Sequence, residues 1–270
     1  MKLSVIIPAR DEEGIIRSTI LALRDHLQEV GIEDFEILVV DDGSRDKTFA
    51  VVASESEQDS RIRVIRNFGR NGFGRAVTFG LDHFTGDAVV IYMADASDSP
   101  ADVVRYYHIL YHEADCAFGS RFIKGSHVVD YPMFKLTINR IINFGIKLMF
   151  NIPYNDTTNA FKAYRAYVID GCRPFVSPHF NLTIELPLKA IVRGYSFRII
   201  PIEWRNRDVG VSHLKLREQG SRYLFTLLTV WFEWLLVRGD HHRPEQEHFV
   251  PWTEATLISP LSPAPAQEKE

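Results

Sequence analysis

The chain has 270 residues, 46% hydrophobic and 24% charged, which suits one large α/β core and excludes a wholly disordered chain. A formal net charge of −4 lacks the basic excess expected of a nucleic-acid binder. The two cysteines, Cys116 and Cys172, set neither a disulfide framework nor a metal-ligand spacing, so a reducing cytoplasm is the expected setting.

No secretory signal is expected, because Met1-Lys2 leads straight into Leu3–Pro8, an apolar run that reads as a buried parallel strand. Glu12–Glu29 follows with Ile16, Ile20, Leu23 and Leu27 at helical spacing. Phe35–Val40 reads as a second buried strand, ended by Asp41-Asp42-Gly43-Ser44, with Ser44 placed to cap a helix over Arg45–Glu55. A strand over Ile62–Ile65, a helix over Gly74–Phe84, a strand over Ala88–Met93, a helix over Ala101–Tyr111 and a short strand over Cys116–Gly119 complete the first half. Such alternation predicts βαβ units and an α/β fold with a mostly parallel central sheet flanked by helices.

The second half is less regular. Met133–Phe150 mixes apolar residues with Lys135, Arg140 and Lys147. Thr183–Arg193 reads as a helix, Phe197–Ile202 as a strand, and Ser221–Val237 as a helix apolar on nearly every side. No run reaches the length of about 20 apolar residues that a membrane-spanning helix needs. The composition shifts near His241 toward Pro, Glu and Gln, which predicts a disordered tail over 239–270.

Ligands of parallel α/β sheets bind at the carboxyl ends of the strands, and the acidic clusters fall there. Asp95 and Asp98 follow the fourth strand in YMADASDSP, where two hard oxygen ligands can share a divalent cation against a diphosphate. Asp98 before Pro100 also makes a good helix start. Asp41 or Asp42 can accept a hydrogen bond from a base or ribose, though Asp-Gly is equally a turn pair. Acidic residues in Pro8–Glu13 can offset a helix dipole without any ligand. The glycine-interrupted RNGFGRA loop, Arg70 to Ala76, reads as a phosphate approach or a flexible connector.

Taken in order, SVIIPARDEEGII, EILVVDDGSRDKT, GDAVVIYMADASDSP and GSRFIKG closely resemble the family 2 glycosyltransferases of GT-A fold. The branch they resemble holds the dolichol-phosphate mannose synthases and related polyprenyl-phosphate hexosyltransferases. The resemblance implies a Rossmann-like nucleotide-sugar-binding fold over residues 1–238, with a donor half at 1–120 and an acceptor half at 121–238. It implies an inverting, metal-dependent transfer of mannose or glucose from a GDP- or UDP-hexose to a polyprenyl phosphate, with Mg²⁺ or Mn²⁺. It places Pro8, Arg10 and Glu12 along the nucleotide, Asp42 with Asp41 at the base or ribose, and Asp95 and Asp98 at the metal. Arg121 would face the diphosphate or the acceptor phosphate. Asp156–Arg165 resembles the family's D-x-T-x-x-F-x-x-Y-R segment, and Arg205–Leu214 its R-x-x-G-x-S-K-L loop, where Arg207 would close on phosphates.

The chain departs from that pattern. The usual M-D-A-D reads Met93-Ala94-Asp95-Ala96-Ser97-Asp98, so the resemblance implies that a different carboxylate pair would serve the metal. His213 stands for the usual lysine, Asp11 for an asparagine, and Lys135 and Asn139 for an arginine and a serine near the acceptor. An alcohol acceptor on a glycan or small molecule would need a base, for which Asp156 is the candidate. A sugar nucleotidyltransferase would carry a glycine-rich first loop where this chain has Ala9-Arg10-Asp11-Glu12, and a non-catalytic nucleotide-sugar binder is the other alternative. Met133–Phe150 and Ser221–Val237 read as interfacial helices, peripheral on the cytoplasmic face of a membrane, or as core or dimer helices.

Overall fold

The computed structural model describes residues 1–206 and 216–237, with side chains described from 1 to 206 and from 220 to 237. Strands and helices alternate through the first half: β1 (Leu3–Ala9), α1 (Ile16–Glu29), β2 (Phe35–Asp41), α2 (Thr48–Gln58), β3 (Ile62–Arg66), α3 (Phe73–Leu81), β4 (Ala88–Ile91), α4 (Pro100–His112) and β5 (Cys116–Ser120). The second half adds β6 (His127–Val129), α5 (Met133–Phe150), β7 (Lys162–Arg165), α6 (Ala166–Cys172), α7 (Leu182–Val192), β8 (Phe197–Pro201), β9 (Glu203–Arg205) and α8 (Leu216–Leu236).

Seven strands form one sheet in the order β3-β2-β1-β4-β7-β5-β8. Every neighbouring pair is parallel except those made by β7, which runs antiparallel between β4 and β5. The sheet therefore continues across both halves of the chain. Each residue of β1 and β2 is buried, which is why both read as unbroken apolar runs. Alternate residues face two cores. Val5 and Ile7 pack with Ile16, Ile20 and Leu23 of α1 and Val103 and Ile109 of α4. Ile6 and Leu38 pack with Val77 of α3, Ile146 of α5, Ile184 of α7 and Val230 of α8 on the other face. A separate two-stranded pair, β6 with β9, sits beside the sheet.

Several expectations shift. The helix predicted over Arg45–Glu55 starts later, at Thr48, and Ser44 does not cap it. Asp46 instead accepts from the Thr48 amide and hydroxyl (2.9 and 2.5 Å). Ser44 Oγ accepts from the Asp11 amide (3.1 Å), Asp11 Oδ1 accepts from the Arg45 amide (2.7 Å), and Glu13 exchanges hydrogen bonds with Asp46 and Lys47. These bonds latch the turn after β1 to the turn after β2. The fourth strand stops at Ile91, short of Met93, and α1 begins at Ile16 after a turn over Glu12–Ile15. β6, β7 and β9 were not foreseen.

The RNGFGRA segment is packed rather than a flexible connector. Phe73 stacks on Phe180 at 4.3 Å, and the Arg75 amide donates to Pro178 O (3.3 Å). A Cβ at Gly74 would lie 2.1 Å from Ser177 O and 2.7 Å from His179 O, both backbone atoms. Gly74→Ala should therefore lower stability by about 1–3 kcal/mol, the usual cost of overpacking, read from the midpoint of urea unfolding.

Candidate active site

The order β2-β1-β4 brings three strand ends together, and with them the turns that start at Arg10, Asp42 and Tyr92. Thr19 Oγ1 of α1 donates to Ala94 O (2.9 Å), which ties the third turn to the first. Pro8 is buried within β1, opposite Val40. Arg10 is exposed, near enough for its charge to favour an ionised Asp42, and Glu12 is half-buried with its amide on Thr48 Oγ1 (2.9 Å).

The two neighbouring aspartates differ. Asp41 is fully buried and serves the fold: Oδ2 accepts from Arg66 Nε (2.8 Å), Oδ1 from the Ser44 amide (3.1 Å). Arg66 in turn lies over the Phe49 ring (4.2 Å). Asp42 Oδ1 accepts from Asn67 Nδ2 (2.9 Å), Oδ2 from the Gly72 amide (2.7 Å), and its carbonyl from Asn71 Nδ2 (2.6 Å). Asp42 thus gathers the 67–72 loop beside the turn. Burial raises its pKa, against the hydrogen bonds from Gly72 and Asn67.

The turn after β4 holds the other acidic pair. Ala96 has a left-handed backbone (φ 55°), and the Ser97 amide donates to Asp95 Oδ1 (3.2 Å). Asp98 is 4% exposed, and among the described residues its carboxylate accepts one hydrogen bond, from the Met93 amide to Oδ2 (3.1 Å). Burial, and then the charge of Asp95, push its pKa up to about 8. β9 is stitched onto this turn. The Arg205 amide donates to Ser97 O (3.1 Å), Asp98 bridges Trp204, and the Glu203 amide donates to Asp102 Oδ2 (2.8 Å).

Across from this turn, β5 ends in Ser120 and delivers Arg121. Its Nε and Nη2 donate to Asp156 Oδ2 (2.8 Å) and Oδ1 (2.7 Å), and its amide also donates to Oδ2 (2.9 Å). Asp156 is fully buried. Burial opposes the charge of Arg121, but Asp156 outweighs it and raises the guanidinium pKa. The guanidinium also lies 5.4 Å from the Phe122 and Tyr131 ring centroids and 5.7 Å from that of Trp204. Its charge reaches Asp98, where it favours the ionised carboxylate.

The structure thus gathers Arg10, Glu12, Asp42, Asp95, Asp98 and Arg121 around the carboxyl end of the sheet. It sets Asp41 and Asp156 into internal ion pairs. The base role considered for Asp156 loses support, since both of its oxygens already accept from Arg121. Arg207, the rest of its loop through Leu214, and the 239–270 tail lie outside the described residues. Sequence reasoning missed Arg66, Asn67, Tyr131 and Trp204, which lie on elements or loops with no motif of their own and which only the fold brings to the site, and it gave Lys162, within the Asp156–Arg165 segment, no role. Asn139 of α5 was singled out, and it donates to the Tyr131 hydroxyl.

Among the described residues no three acidic, His or Cys side chains converge as a closed metal site. An open site of two carboxylates does fit a divalent cation. Asp98 is a buried carboxylate with one donor, next to a second negative charge, and a hard cation relieves both deficits.

These features define an α/β protein with a mostly parallel sheet whose acidic turns gather at the carboxyl ends of the strands. The chain belongs to glycosyl transferase family 2, whose model matches residues 4–172. It is 31% identical over 184 residues to a polyprenol monophosphomannose synthase of Mycolicibacterium smegmatis, covering 66% of this chain and 69% of the relative. It is 28% identical over 219 residues to a dolichol-phosphate mannosyltransferase of Pyrococcus furiosus, covering 80% of this chain but only 60% of that relative's length. Solved structures of glucosyl-3-phosphoglycerate synthase from Mycobacterium tuberculosis share the fold. The complex with Mn²⁺ and UDP-glucose gives a TM-score of 0.65 at 20% identity, over 85% of this chain and 78% of that one. The complex with Mg²⁺ and UDP gives 0.63.

Two outcomes follow from the buried carboxylates. Asp156→Ala strands Arg121 in the interior and should lower stability by about 3–5 kcal/mol in urea unfolding, a loss that a solvent-facing base would not show. Asp98 binds its proton more tightly folded than unfolded, so native stability falls as pH rises from about 4, its unfolded value, to about 8. In metal-free buffer, Asp98→Asn should melt higher than the parent protein at pH 8, and the difference should vanish near pH 4.

Proposed function

We propose that this chain transfers mannose or glucose from a GDP- or UDP-hexose to a polyprenyl phosphate at a membrane surface, inverting the anomeric carbon. The observation that carries this is the opposition of two charge centres: the Asp95–Asp98 turn at the end of β4, and Arg121 at the end of β5, linked through Trp204. A diphosphate and a second phosphate can meet between them. The two curated relatives, both named for making phosphate-linked mannose on polyprenol or dolichol, support the same acceptor class.

Asp95 and Asp98 would hold Mg²⁺ or Mn²⁺, which neutralises the diphosphate leaving group. Asp42 and the 67–72 loop would receive the base or ribose, with Pro8, Arg10 and Glu12 along the nucleotide. In the reaction an acceptor phosphate oxygen bonds to the anomeric carbon. The bond from that carbon to the donor diphosphate breaks, and the nucleoside diphosphate leaves with the electron pair. A phosphate oxygen is already ionised near neutral pH, so no strong base is needed, which agrees with the engagement of Asp156 by Arg121. Arg121 would hold the acceptor phosphate opposite the cation on the Asp95–Asp98 turn.

The surface favours a lipid acceptor. Along α5, Phe134, Ile141, Phe144 and Leu148 are each more than 60% exposed, in a stripe at helical spacing flanked by exposed Arg140 and Lys147. Phe225, Phe232 and Leu236 of the neighbouring α8 are also exposed. Among the described residues no helix is long and apolar enough to cross a membrane. An apolar face rimmed by cations on such a protein suits the interface of an anionic bilayer.

Asp95→Asn should abolish turnover with little change in melting temperature, and near-normal turnover would remove Asp95 from the metal site. The acceptor is decided by offering a short-chain polyprenyl phosphate, phosphoglyceric acid and free sugars with each GDP- or UDP-hexose and Mg²⁺ or Mn²⁺. Transfer to the lipid phosphate alone is expected, and transfer only to either of the others overturns the assignment. Phe144→Glu with Leu148→Glu should release the protein from phosphatidylglycerol vesicles in flotation while donor affinity, read by calorimetry, stays unchanged.

A further inference from the structure

One buried cation has no part in the chemistry above. Lys162 opens β7, pairing with Ile91, the last residue of β4, and with Phe118 of β5. It is 1% exposed, and burial pulls its pKa down to about 7 despite the favourable charge of Asp156. Its Nζ donates to three main-chain carbonyls: Thr157 (3.0 Å), Asn159 and Thr183 (3.2 Å). The Tyr154 ring centroid lies 5.7 Å away. An ammonium in the interior is tolerated only when its donors are matched, and three carbonyls match its three N–H groups.

The identity of those carbonyls gives the lysine its role. Two belong to the turn directly after Asp156, and the third to α7. The ammonium therefore fastens the 156–159 turn to α7 from below. Asn143 of α5 fastens it from the side: Nδ2 donates to Thr158 Oγ1 (2.9 Å) and Oδ1 accepts from the Thr158 amide (3.2 Å). The turn in its turn grips the Arg121 backbone and guanidinium through Asp156. A chain of contacts runs from Lys162 through 157–159 and Asp156 to Arg121. An apolar side chain at 162 would leave three buried carbonyls unpaired and the turn free to shift.

We propose that Lys162 is a positioning residue: it sets the orientation of Arg121 toward the acceptor phosphate without touching substrate. This rests on the assignment of Arg121 to that phosphate. Lysine suits the place because three carbonyls converge on one point, a geometry that a tetrahedral ammonium meets and a planar guanidinium meets only in part.

The test uses the full-length protein with Lys162→Met and Lys162→Arg, followed by amide hydrogen exchange and by steady-state kinetics varying donor and acceptor separately. For Lys162→Met, exchange should quicken at Arg121–Phe122 and Thr157–Asn159 while β1–β3 stay protected. The acceptor KM should rise about tenfold, as for loss of one or two buried hydrogen bonds, with the donor KM within about twofold. Lys162→Arg should restore both measures in part. Unchanged exchange at Arg121–Phe122 and Thr157–Asn159 overturns the proposal, and so does a loss that spreads over the whole sheet and weakens donor and acceptor alike. If Lys162→Met does not fold, the same comparison between Lys162→Arg and the parent protein decides. If the parent protein transfers nothing to polyprenyl phosphate, the acceptor assignment fails on its own, and exchange alone then shows whether Lys162 holds Arg121.

Discussion

The bidentate pair between Arg121 and Asp156 sits in the interior, where stripping water from each ion costs several kcal/mol. Such a pair persists only when its remaining donors and acceptors are matched. Here the Arg121 amide adds a third bond to Asp156, three aromatic rings face the guanidinium, and the Lys162 ammonium lies beneath. The end of β5 is thereby locked to the 156–159 turn, and the chain leaving that turn enters the sheet as β7. The single antiparallel strand between β4 and β5 is thus the structural companion of this ion pair.

The same rule acts on the donor side. Asp41 is matched by Arg66 and a backbone amide, Glu36 by Arg63, Ser4 and Thr85, and Asp42 by Asn67 and Gly72. Asp98 breaks the rule. It is buried as deeply, has one amide donor among the described residues, and faces the charge of Asp95. Asp41 and Glu36, which serve the fold, each have an arginine partner, whereas Asp98, where a cation is proposed, has a single amide donor among the described residues. A bound cation would supply the compensation that the amide of Met93 alone does not give Asp98.

Legibility in the sequence followed the same division. β1 and β2 were readable because burial on both faces makes their sequences uniformly apolar. β7 was not, because its four residues, Lys-Ala-Tyr-Arg, include a lysine that no periodicity rule places in a core. Ser44 looked like a cap because residue type alone cannot tell a helix start from a latch between two loops. The acidic clusters were found at the strand ends. Asp41 and Asp42 are both buried, and what each one holds depends on Arg66 and Asn67, some 25 residues away, so no local pattern reveals it.

Helix α5 carries a polar face and an apolar face on one element, which bears on the proposed lipid acceptor. Asn139 and Asn143, one turn apart, face inward, onto the Tyr131 hydroxyl and the Thr158 segment. Ile141, Phe144 and Leu148 face outward and stay exposed. A helix is only about 10 Å across, so the two faces lie closer together than the length of a single lipid. An acceptor whose phosphate must reach Arg121 while its chain stays in an apolar medium needs that proximity. Exposed apolar area of this kind marks a docking surface, which a bilayer fits in the proposed reaction and a second protein surface would fit otherwise. The inner asparagines join the outer stripe to the site, because Asn143 holds Thr158 in the turn that carries Asp156.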